Sequence, residues 1–94
     1  MREFVHQFLE PFVDEPTERQ YSARVYGEKR GDVWEAWLEF HPLDAGAPLR
    51  TDRETVQTSR LQITYWATGV SGVYLEGAFK RARPIHEETI QPPP

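Results

Sequence analysis

The sequence predicts an α+β domain, and three patterns carry that reading. Residues 21–41 alternate apolar and polar side chains about a glycine turn, as an antiparallel hairpin does. Residues 60–83 repeat apolar side chains at helical spacing, and residues 4–13 set apolar pairs four positions apart. A chain of 94 residues makes one domain, assigned to 1–84, and its core buries a smaller share of its surface than that of a larger protein, so self-association would help it.

At the N-terminus, Phe4, Val5, Phe8, Leu9, Phe12 and Val13 follow the spacing of an amphipathic helix, but Pro11 interrupts the run. The expectation is a short helix ending near Leu9 or Glu10, its apolar stripe laid on the sheet.

In the hairpin, a turn at Arg30 and Gly31 would pair Tyr21 with Phe40, Ala23 with Leu38, Val25 with Ala36 and Gly27 with Trp34, so that one face is wholly apolar or glycine. The other face would pair Ser22 with Glu39, Arg24 with Trp37, Tyr26 with Glu35 and Glu28 with Val33. Large residues therefore stand on the side that ought to be wet. Either the N-terminal segment, another strand or Arg24 covers them, or Arg24, Tyr26, Val33 and Trp37 form a surface for a protein partner, where aromatic residues and Arg are the usual anchors.

The stretch HPLDAGAP, 41–48, reads as a loop, and 49–58 as a third strand, polar and at the sheet edge because Leu49 and Val56 have opposite parity. Ser59 with Gln62 has capping-box spacing, and Ile63, Trp66, Ala67 and Val70 follow as one helical face. Val73, Tyr74, Gly77 and Ala78 continue in phase. One weakened helix or two would fit; Gly69 as a C-cap and Ser71 as an N-cap favour two, packed on the Tyr21/Trp34 face, with Pro84 ending the second. Gly77 and Ala78 let a backbone approach closely, against the sheet or against a second copy. Residues 85–94, ending in three prolines, read as a poorly ordered tail.

No apolar run approaches the roughly 20 residues a membrane helix requires, and the first residues lack the pattern of a secretory signal. There is no cysteine, which removes disulfides and thiolate chemistry and points to the cytoplasm. A formal charge of −4 argues against general affinity for nucleic acid, while Lys80, Arg81 and Arg83 read as cations complementing a helix C-terminus.

Catalytic, cofactor and metal motifs are absent from the sequence. His6, His41 and His86 are too scattered for a ligand set, and nothing sets a base beside Tyr21, Tyr26, Tyr65 or Tyr74. Arg50, Asp52, Arg53 and Glu54 form a polar cluster that reads as a solvated edge or a recognition edge. One polar site is geometrically available: Glu35, Glu39 and His41 share a strand face, with Asp44 just beyond.

Trp34 to Pro42, Thr51 to Gln57, Tyr65 to Gly69 and Tyr74 to Ala78 together resemble a family of short uncharacterised bacterial proteins, over roughly residues 21–83. That likeness carries no activity. The order of hairpin, further strand and helix is similar to HicB-like antitoxins, which would imply a nucleic-acid regulator, although the glycine-rich and acidic signatures of that family's third strand are not evident. The leading expectation is a small non-enzymatic protein-interaction or regulatory module, with a homodimer as one form. A ligand-binding domain or enzyme at Glu35, Glu39 and His41 is the second, and an antitoxin-like regulator the third.

Overall fold

Two long strands form the centre of the sheet, because alternation over residues 19–42 gives each strand one apolar and one polar face. In this computed structural model, which describes residues 1–85, β3 (Arg19–Arg30) and β4 (Val33–Pro42) pair antiparallel. Apart from Ile85, the tail assigned to 85–94, with His86, lies outside the described residues. The turn is Gly31 and Asp32, not Arg30 and Gly31, so the pairs are Tyr21–Pro42, Ala23–Phe40, Val25–Leu38 and Gly27–Ala36. That register is two residues from the expected one. An even shift leaves every side chain on its own face, and so the apolar face survives intact. Gly31 decides it: at φ 63°, followed by a residue of negative φ, it has the torsion signature of a type II′ turn, which takes glycine at its first central position.

The N-terminal segment is not a helix. It forms β1 (Glu3–Gln7) and β2 (Phe12–Asp14), both antiparallel to β3. The register slips between Phe4 and His6, leaving Val5 as an extra residue. This bulge lets Phe4 meet Tyr26 on one face while Val5, Phe8 and Phe12 join the core on the other. A single helical stripe could not serve both faces.

The third strand is also broken, into β5 (Leu49–Arg50) and β6 (Thr55–Gln57), both on β4. Pairing moves from Arg50–Glu39 to Thr55–Ala36, so two surplus residues bulge out between them. Thr51 is buried at the break; its Oγ1 accepts from Leu38 N at 3.1 Å and donates to the Asp52 carbonyl at 2.8 Å.

Two helices follow, α1 (Arg60–Thr68) and α2 (Gly72–Arg81). Ser59 Oγ accepts from Gln62 N and Ser71 Oγ from Tyr74 N, so each start has its own cap. Gly69 is the C-cap of α1 but stays right-handed at φ −93°; the separation into two helices rests on Ser71. The second helix stops at Arg81 because Pro84 disfavours helical backbone at Arg83, and Arg83–Pro84 becomes β7, an outer strand on β5.

Strand order is β1-β3-β4-β5-β7, with β2 on β3 and β6 on β4. Both helices contribute to the apolar face. There Tyr21, Ala23, Val25, Ala36, Leu38 and Phe40 are buried with Ile63, Ala67, Leu75 and Ala78, and Phe79 packs its ring 5.0–5.2 Å from those of Phe12, Tyr21 and Phe40. Gly27 lets α1 close on the sheet: a Cβ there would lie 3.2 Å from Ile63 Cδ1 and from the Glu35 carbonyl. No helix among the described residues is long and apolar enough to cross a membrane.

Candidate functional site

The opposite face of β3 and β4 carries the chemistry. Cross-strand pairing sets Ser22 against His41, Arg24 against Glu39, Tyr26 against Trp37 and Glu28 against Glu35 there. Tyr26 and Trp37 are nevertheless 8 % and 3 % exposed, and Glu39 is fully buried. Arginines from neighbouring segments cover them: the guanidinium of Arg2, just before β1, stands 4.0 Å over the Tyr26 ring, and that of Arg50 on β5 stands 4.0 Å over Trp37. Phe4 adds an edge contact to Tyr26. The N-terminal segment and another strand thus supply the cover, whereas Arg24 turns to Ser22 Oγ.

Glu39 is saturated beneath that cover. Its Oε2 accepts from Arg2 Nε at 2.8 Å and Trp37 Nε1 at 2.9 Å, and its Oε1 accepts from Arg2 Nη2 at 3.0 Å and His41 Nε2 at 2.8 Å. Burial pushes the carboxyl pKa up, but the hydrogen bonds from Arg2, Trp37 and His41 and the Arg2 charge outweigh it and hold the group below its ordinary value. An ionised carboxylate only accepts, so His41 must carry its proton on Nε2. Four acceptor sites meet four donors, which leaves no lone pair to remove a substrate proton or ligate a cation.

The proposed polar site therefore divides. Glu39 and His41 touch, while Glu35 lies four residues back along the same face, beyond Trp37, and receives Arg30 Nε at 3.3 Å and Arg53 Nη1 at 3.1 Å. Asp44 stands in the loop after β4, where a hydrogen bond from Arg19 holds its carboxyl below the usual range. Of the partner-surface residues, Tyr26 and Trp37 lie under guanidinium groups, Arg24 is half-buried, and Val33 is half-buried at the turn. The cluster at 50–54 disperses: Arg50 to Trp37, Arg53 to Glu35, and Glu54 to α2. Glu54, almost fully buried, accepts from Tyr74 Oη and from Arg81 Nη2 at 2.6 Å. No group of three or more His, Cys, Asp or Glu among the described residues is placed to hold a metal.

Sequence reasoning missed Arg2 and Arg83. On this face one transverse row runs Gln7, Arg24, Glu39, Arg50, Arg83 from β1 to β7, which sets Arg50 and Arg83 directly opposite each other. Among the described residues, Arg24, Arg50 and Arg83 form no ion pair, although the whole chain has 15 acids to 11 Lys and Arg. Register alone could have found this row, but two-residue strands leave no pattern to read.

No protein-family model, curated protein or solved structure matches this chain.

Proposed function

We propose that the chain is a non-enzymatic protein-interaction module whose working surface is the helix-free sheet face, and that its partner presents carboxylates to Arg24, Arg50 and Arg83. The row of guanidiniums carries this reading. Like charges directly opposite each other on paired strands are destabilising, and an anionic partner would relieve the Arg50–Arg83 pair. Rings under arginines, with Glu39 fixing Arg2, give that surface a set shape, and pre-organised Arg and aromatic groups are common anchors of protein interfaces. The saturation of Glu39 favours binding over acid-base catalysis at this face.

The test is capture of partners in the native host by the tagged chain, nuclease-treated, compared across variants. Arg24→Glu/Arg83→Glu should lose a stoichiometric, nuclease-resistant protein that wild type and Lys29→Glu both retain. Retention by the double variant would remove this face as the contact, and capture that vanishes with nuclease would favour an antitoxin-like nucleic-acid role.

A further inference from the structure

A concave surface lies on the helix side, where residues 8–16 run beside α2. Two adjoining hollows of about 430 and 290 Å³ share Phe12, Val13 and Glu76 and make one groove. Phe8, Phe12, Leu75 and Phe79 line it and are anchored in the core from below. At its rim Leu9 is 100 % exposed and Val13 44 %. Large apolar side chains that gather about a hollow in this way mark an interaction site more than they mark scatter.

The charge around the groove is one-sided. Glu10, Asp14, Glu15 and Glu76 line it against a single cation, Lys80, and none of those four acids ion pairs among the described residues. Nothing lies within 4 Å of where a Gly72 Cβ would stand, so the start of α2 leaves open room. The adjoining strand β2 has three residues, too short an edge to template an added strand. From the apolar floor and the acidic rim we infer that this groove binds a cationic amphipathic helix, whose apolar stripe would lie on Phe8, Phe12 and Phe79 and whose Lys or Arg flanks would meet Glu10, Glu15 and Glu76. This site is independent of the arginine face and stands if that reading fails.

The test is an amide NMR titration of the full chain with a designed Leu/Lys amphipathic peptide of about 14 residues, set against its Leu/Glu counterpart. The Leu/Lys peptide should give saturable shifts confined to residues 8–16 and 70–80, and bind at least about tenfold more tightly than the Leu/Glu peptide. Leu9→Ser/Val13→Ser, at exposed positions and without change of charge, should keep the fold by its spectrum and weaken binding by about tenfold or more. Equal binding of the two peptides, shifts mapping to the sheet face, or no saturable shifts at all would overturn the inference. So would concentration-dependent shifts of these residues without peptide, which would make a second copy of the chain the occupant.

Discussion

A carboxylate sealed in a sheet face is tolerated only while its lone pairs are matched, and Glu39 meets that condition through Arg2, Trp37 and His41. Glu39→Gln keeps the shape but loses the charge and forces an amide to face Arg2, and should destabilise by about 2 kcal/mol, the figure kept low because Arg2 is half in water. The effect has a definite pH dependence. Because folding lowers this pKa, the ionised group contributes fully above the ordinary Glu value of about 4.3, and that contribution fades as pH falls through the lower folded value. The gap between the thermal melts of wild type and Glu39→Gln should therefore hold from neutral pH down to the ordinary Glu value of about 4.3 and narrow as the pH is lowered further; a gap that stays constant in acid would show that charge is not what Glu39 supplies. Tyr74 behaves in the opposite sense. Burial, then its hydrogen bond to Glu54 and the Glu54 charge, push its pKa up to about 12. Its protonated form is the one folding favours, so that contribution is complete below the ordinary value of about 10 and is lost as pH rises through the folded value. Ultraviolet titration should show a tyrosine ionisation near pH 12 or only on unfolding that is absent from Tyr74→Phe.

Elements differ in how far local sequence determines them, and glycine shows where the turn and the packing make demands. Gly31→Ala would force a side chain into left-handed backbone and should cost about 1 kcal/mol, read from the denaturation midpoint. Gly27→Val adds three carbons where even a Cβ would press on Ile63 and the Glu35 carbonyl; a loss of about 2–3 kcal/mol is expected, with α1 displaced in an amide spectrum. Wild-type stability in that variant would mean that α1 does not sit against β3. The hairpin was legible because parity reports the face, but parity is blind to an even slip, so the two-residue register error was invisible until the Gly31–Asp32 turn fixed it. The N-terminal pairs resembled a helix because the bulge at Val5 breaks strand alternation at the position where it would have been recognised. Ser59 and Ser71 were readable as caps because capping is local chemistry. Glu39 and His41 could be joined by parity, yet the donors that determine their chemistry come from Arg2, 37 positions away, and from a Trp37 ring whose exposure depends on Arg50.

The molecule as a whole is a sheet closed in two ways, by two helices on one face and by arginines stacked on rings on the other, and β1 together with Arg2 just before it serves both closures. Val5 packs into the helix-side core, while Arg2 and Phe4 cover Tyr26 and Glu39 on the other side. Removing residues 1–7 would therefore open both faces together, leaving β3 unpaired on that side from Arg24 to Gly27 and Glu39 without its bidentate partner. A loss of several kcal/mol, on the order of half the stability of a small domain, is expected. Arg2→Ala should loosen the arginine face alone. The three tryptophans separate these outcomes, since Trp34 and Trp66 border the helix-side core and Trp37 lies under Arg50. In a fluorotryptophan-labelled chain, Arg2→Ala should move the Trp37 resonance and leave the other two in place, whereas deletion of 1–7 should collapse the dispersion of all three and lower the melting temperature sharply. A deletion variant that melts with wild type, or whose Trp34 and Trp66 resonances stay put, would mean that the helix-side core closes without β1, and that this strand serves the arginine face only.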